Sequence, residues 1–423
     1  MKSVSTLALG LALAFGTAAV VVAPATAAKK EEKGGKVKLT PAVQNAAAAA
    51  QTAIGAGDFP TATAKLAEAK AALVSDDDKN VVGTLMVQNG QKSNDQNQVR
   101  DGVTLMLESN KASQTDQAVL YGLKGQFQTQ AKDLAGAEAS YRRALELGST
   151  EPNMVPLIVQ TMSQQGKTLE AIQFLNTEIG KKMAANQTVP SDWFGRGIND
   201  GYAAKSTAPN YAAIKDATTE LTEKWVAAYP TKSNWRDALV IYRDMNRLPA
   251  DVELDTYRLL RTIGGLKGER DYMDYIQAVY LRFPAEAKAV IDEGVAAGQI
   301  NLSSNKGAAE INSLVQGKIA ADKASLASGA KTASAAATGR PAMGVADAYL
   351  GYGEWAKAAE LYKVALTKGG TGVDADIVNL RLAQAQARAG QAAEAKTTLA
   401  NVKGSRAQLA EFWKVYLDHP VTA

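Results

Sequence analysis

The chain has 423 residues, enough for two or three ordinary domains or for one long array of helical hairpins. Its 79 alanines against 7 Phe, 5 Trp and 14 Tyr favour helix, and they supply too little side-chain volume for one large compact core. The 47 basic and 43 acidic residues are interspersed without the basic face that nucleic acid requires, and an absence of cysteine with a single histidine, His419, excludes disulfides, Ser-His or Cys-His catalysis and histidine-rich metal sites.

In chain order, residues 1–27 read as an export signal. Lys2 gives the positive start, Leu7 to Val22 the apolar run, and Ala25-Thr26-Ala27 a small-x-small cleavage site. That run is too short and too broken by Gly10, Gly16 and Thr17 to serve as a membrane span. After cleavage no segment of spanning length remains, so the expected address is a bacterial periplasm. Residues 28–40 are charged and broken by glycine, and read as a flexible leader.

Helix is expected from Pro41 onward, in periods of ten to twenty residues separated by Gly, Pro, Asn or Asp. A turn followed by spaced alanines recurs. Gly57-Asp58-Phe59 precedes Ala62, Leu66 and Ala69; Lys132-Asp133-Leu134 precedes Ala137, Tyr141 and Ala144; Gly166-Lys167-Thr168 precedes Ala171 and Leu175. Towards the C-terminus Gly353-Glu354-Trp355 precedes Ala358, Tyr362 and Ala365, and Gly390-Gln391-Ala392 precedes Ala395, Leu399 and Val402. These segments resemble the tetratricopeptide repeat (TPR), a helical hairpin with a period of 34 residues.

The expected fold is therefore all-α: a superhelical, TPR-like array of antiparallel hairpins with a divergent middle section. Residues 41–185 form an N-terminal array and 186–300 a divergent hairpin region. Residues 301–340 form an Ala/Ser-rich helix or linker, with helix favoured by the stripe Ile311, Leu314, Val315, Ile319 and Leu326. Residues 341–423 form a C-terminal repeat pair with a capping helix that carries Leu409, Phe412, Trp413 and Tyr416 on one face. The glycines of Gly195-Arg196-Gly197 and Gly201 lack dinucleotide spacing and are expected in a turn.

The resemblance implies a groove lined by the first helices of successive hairpins, in which a protein or peptide partner from the cell envelope binds. In the clearest pair the groove positions are Gln126, Thr129 and Gln130, then Gln160, Ser163 and Gln164, whose amides and hydroxyls suit a peptide backbone. Arg258 and Arg261 share a helix face and suit an acidic partner, though internal salt bridges account for them equally well. No cofactor, metal or nucleic acid is expected. The alternative is a peptidoglycan- or carbohydrate-active enzyme on a helical superhelix. Its best candidate, Glu108-Ser109, is followed by Asn110 and lacks the accompanying motif.

Overall fold

A computed structural model describes residues 37–422 of the chain. The expected export signal and residues 28–36 of the expected leader lie outside the described residues. Among the described residues there are 20 α-helices and no strand, and no helix is long and apolar enough to cross a membrane. The described residues divide into two compact units, 37–154 and 155–422.

The first unit holds α1 (Pro41–Ala56), α2 (Phe59–Ala71), α3 (Asp76–Ser93), α4 (Gln96–Glu108), α5 (Gln114–Gln130) and α6 (Leu134–Glu146), which pack as three successive hairpins. Short polar caps set the starts of the helices. Asp58 accepts from the Thr61 N–H, Asp133 accepts from the Gly136 N–H, and Ser75 with Asp78 forms a reciprocal capping box. The tightest crossing is between α3 and α4. A β-carbon on Gly83 would lie 2.8 Å from the Gly102 carbonyl oxygen, and one on Gly102 only 2.6 Å from the Gly83 carbonyl, so the two backbones meet with no side chain between them.

The turn that opens each recognised repeat needs a residue in the left-handed region. Gly57 (φ 74°), Gly166 (φ 77°), Gly353 (φ 75°) and Gly390 (φ 81°) supply it, and at the turn before Ala137 the same position is held by Lys132 (φ 61°). The small residues placed on the repeats are in the core: Ala62, Ala137, Ala171, Ala358, Ala365 and Ala395 are each 0% exposed.

A seventh helix, α7 (Met154–Gln164), runs across the division into the second unit. That unit continues with α8 (Thr168–Ala184), α9 (Ser191–Tyr202), α10 (Tyr211–Ala228), α11 (Lys232–Asn246), α12 (Ala250–Thr262), α13 (Gly268–Val279) and α14 (Pro284–Ala296). There follow α15 (Lys306–Ala335), α16 (Arg340–Gly351), α17 (Trp355–Lys368), α18 (Ala375–Arg388) and α19 (Ala392–Leu399). A 3-10 turn, Gly404–Arg406, leads into α20 (Ala407–Asp418).

Three features of this unit refine or correct the sequence expectations. The Ala/Ser-rich stretch is a continuous helix, and its seam is narrower than expected: Leu314 is exposed, while Ala308 and Val315 enter one core cluster and Leu326 and Ala333 another. Both buried pairs are seven residues apart, the spacing of a two-position seam. The glycines around 195–201 are not in a turn but inside α9. There a β-carbon on Gly197 would lie 2.5 Å from Leu221 and one on Gly201 2.0 Å from the Thr218 hydroxyl, so these glycines let α9 lie against α10.

The third feature concerns α20. It does more than cover the last repeat, because it packs on α10 as well as on α18 and α19. Phe412 sits 5.5 Å from Tyr242 and 6.3 Å from Trp235, between ring centroids, so one core joins α11 to the end of the chain. Large aromatic rings at Trp235, Phe412 and Trp413 fill a volume that alanine-rich repeats leave open.

Candidate functional site

Of the predicted groove residues, three fall in each unit. On α5, Gln130 is exposed, Gln126 is half-buried, and the Thr129 hydroxyl donates to the Gly125 carbonyl at 2.9 Å and lies 3.2 Å from the Tyr141 hydroxyl. On α7, Gln160 and Gln164 are exposed, whereas the Ser163 hydroxyl donates to Asp200 at 2.6 Å. The glutamines therefore remain at the surface, while the two hydroxyls are taken up by their own units. Glu108, exposed at the end of α4, is beside Ser109, whose hydroxyl donates to the Met106 carbonyl.

Arg258 and Arg261 lead to a different place. Their i,i+3 spacing on α12 turns both towards α14. Arg258 is 6% exposed and meets Glu286 with two 2.8 Å hydrogen bonds from Nε and Nη2, while its Nη1 donates to Asp255 at 2.8 Å. Arg261 makes the same two-pronged pair with Glu293, at 2.8 and 2.6 Å. Both arginines are thus held in internal salt bridges.

Asp255 extends the network. Arg381 on α18 donates to it at 3.2 Å and makes two 3.0 Å bonds to Asp347 on α16; Arg406 pairs with Asp251 and approaches Asp255. Tyr275 donates to Glu286 and Tyr362 to Asp347, each at 2.6 Å. Three buried arginines thus face three buried carboxylates, Asp255, Glu286 and Asp347. Removing six charges from water is costly, and the arrangement offsets the cost by two-pronged, charge-assisted bonds. Burial alone would raise the Glu286 pKa, but the Arg258 charge and its bonds, with the Tyr275 hydroxyl, hold it down at about 2. Near neutral pH this carboxylate is a fixed anion, with no proton to give.

Above the Arg258, Glu286 and Tyr275 group lies a cavity of about 40 Å³, which is walled by Arg261, Trp355, Gln384, Arg388 and Trp413. Gln384 is 3% exposed, and neither its amide oxygen nor its amide nitrogen has a partner. Trp413 is 1% exposed with its indole N–H also unpartnered. At the rim Arg388 stacks on Trp355, its guanidinium carbon 4.7 Å from a ring centroid, and no carboxylate pairs with it among the described residues. Buried polar atoms are nearly always satisfied, so the open amide and indole that line this cavity single it out as the candidate site.

The sequence reading reached Arg258 and Arg261 but not Gln384 or Arg388. A signal was there. Arg381, Gln384 and Arg388 recur at i, i+3 and i+7 within the otherwise alanine-rich RLAQAQARAG, which places three polar groups on one helix face. On sequence alone that pattern matches an ordinary solvated face.

No protein-family model matches the chain, and neither does any curated protein. Among solved structures, the chain is similar to the TPR2AB domain of yeast Sti1 in its pHSP90 complex, with 17% identity, 71% of this chain and 98% of that one covered, and a TM-score of 0.23. It is also similar to Naa15/Naa10 bound to HypK-THB (15% identity, 87% and 70% covered, TM-score 0.24) and to the APC/C hetero-tetramer Cut9-Hcn1 (11% identity, 87% and 66% covered, TM-score 0.22). At such values the fold rests on the chain's own hairpins and the site on its own residues.

Proposed function

We propose that the chain is a binding scaffold of the cell envelope that holds a protein or peptide partner and catalyses no reaction of its own. The observation that carries this reading is the cavity of the second unit, where unpartnered donors and an acceptor sit over a rigid floor of paired charges. Such a site is already organised before a ligand arrives, which lowers the entropic cost of binding. The exposed amides of Gln160 and Gln164, in the same unit, supply further contacts for an extended partner. The doubly paired state of Glu286 weighs against carboxylate catalysis in this cavity, since a group held at about 2 is a poor acid or base near neutrality. Residues 1–27 support the envelope address.

Two measurements test the reading. A photo-crosslinking residue at Thr262, which lines the cavity, is expected to trap a partner in intact cells, and the same residue at exposed Ala320 on α15 is not. Equal capture at both positions, or at neither, overturns the proposal. The intact mass of chain recovered from cells is expected to lack Met1 to Ala27. Retention of Met1 overturns the expected cleavage.

A further inference from the structure

We infer that α20 is a latch held shut by a proton on Glu223, and that its release takes Trp413 out of the wall of the cavity beside α18 and opens that cavity. The importance of the opening rests on reading the cavity as the binding site; the latch itself does not. Glu223 lies in the seam where α20 packs on α10, and its Oε1 is sealed from water without a hydrogen-bond partner. A buried oxygen in that state tolerates a proton far better than a charge. The helix above it is the last of the described helices. Its departure separates Phe412 from Trp235 and Tyr242, and Trp413 from the cavity, while the other hairpins keep their own partners. Beyond it the chain is tied back through the Thr422 N–H, which donates to the Pro230 carbonyl at 2.9 Å.

The groups around Glu223 give the proton its leverage. On its own helix Lys224 is paired with Glu220 at 2.6 Å, and on α20 Lys414 is paired with Glu411 at 2.7 Å, so both nearby cations are engaged with other carboxylates. From α11 comes the Tyr242 hydroxyl, pushed up to about 12 and so neutral throughout; Arg406 of the 3-10 turn acts on that hydroxyl. Helix α8 presents the neutral Asn176 to Lys224, and α9 meets α10 through Gly197 and Gly201. An ionised Glu223 therefore sits inside a closed seam facing Glu411 and Glu220. Burial first, then those two charges, raise its pKa from 4.5 to about 8, against Lys224 and Lys414. A carboxyl raised on closing holds its proton more tightly while α20 is shut. The shut state is thus fully favoured below about pH 4.5 and loses ground up to about pH 8, by at most about tenfold per pH unit.

The test is amide hydrogen exchange on the full chain at pH 5 and pH 8, each rate corrected for the intrinsic exchange rate at that pH. Amides of α20 are expected to lose protection at least about tenfold between the two, while those of α13 and α14 keep theirs. Glu223→Gln is expected to remove this dependence, and Glu411→Gln, at an exposed position, to reduce it. His419→Gln, which replaces the chain's one histidine at the exposed end of α20, is expected to leave it intact. Protection lost in step across α13, α14 and α20 overturns the latch. So does an undiminished dependence in folded Glu223→Gln or Glu411→Gln, or its disappearance in His419→Gln. Crosslinking from Thr262 bears on the cavity alone. No capture there, in a chain whose α20 opens with pH, leaves the latch standing and removes the binding role; capture in a chain whose α20 stays shut at both pH values does the opposite.

Discussion

At the scale of single residues, the second unit keeps several buried polar atoms without partners, and two of the groups that carry them can be tested directly. Gln384 is one. Replacing it with leucine, of similar size, removes a buried amide with no partner, and it is expected to stabilise the free chain by about 1–2 kcal/mol in urea unfolding; a loss of stability would mean that the amide is satisfied in solution. Glu223 on α10 is the other. Its Oε1 is shut away without a partner, and burial, with the charges of Glu411 and Glu220, raises its pKa from the ordinary 4.5 to about 8 against the opposing pull of Lys224 and Lys414. The nearby Tyr242 hydroxyl is pushed up to about 12, chiefly by burial and then by the Glu223 charge. A carboxyl raised on folding holds its proton more tightly in the folded chain. Its contribution is therefore full below about pH 4.5 and is lost as pH rises through about 8. Glu223→Gln is expected to match the parent at pH 5 and to exceed it by roughly 1–3 kcal/mol at pH 9, read from melting curves across pH. A difference that stays constant with pH would contradict the assignment. Glu286 has the opposite sign, since its depressed pKa makes its contribution fall away between about 4.5 and 2.

At the scale of helices, close approach governs. Ala358 and Ala365 on α17 are fully buried, and Ala356 on the same helix is exposed. Leucine at 358 or 365 is expected to cost about 1–3 kcal/mol by overpacking, and at 356 to be nearly neutral; similar losses at all three in a denaturant series would show that this face is misassigned. These positions were legible in the sequence because a hairpin is a local object: turn glycine, following small residues and capping groups all lie within one period. The turn at Lys132 was legible for the same reason, although lysine stands where the other recognised turns have glycine. The α9 glycines were misread, because a glycine that opens a turn and one that lets two helices touch are identical until the neighbour, here Leu221 or Thr218, is known. The stripe on α15 was legible as a helix, but its width was not. Leu314 belongs to the stripe and yet is exposed, since apolar identity alone does not say which side has a neighbour.

At the scale of the whole molecule, the information that local patterns omit is carried by long-range pairs. Arg381 meets Asp255 across 126 positions, and Arg406 meets Asp251 across 155. No periodicity links such residues, and each looks alone like a surface charge. This explains why the arginines of α12 were found and their partners were not. Arg381→Ala is expected to destabilise the second unit by about 3–5 kcal/mol, because Asp255 and Asp347 stay buried with fewer counter-charges, and adding Asp347→Asn is expected to recover part of that loss. Additive losses in the double variant, measured by urea unfolding, would show that the two side chains are not coupled.

The return of α20 to α10 and α11 has a consequence for the order in which the chain acquires structure. Repeat arrays ordinarily fold from any point outward, each hairpin waiting only for its neighbour. In the second unit Trp235 has no Phe412 beside it, and Asp255 no Arg381 or Arg406, until α18 and α20 have been made. With synthesis at ~5–20 residues per second, the hairpins of the first unit have many seconds in which to close while the second still lacks its final wall. The ends of the second unit therefore act as a checkpoint: a chain broken off before α20 keeps its early hairpins but exposes a half-built core, open to the proteases that clear unfinished proteins.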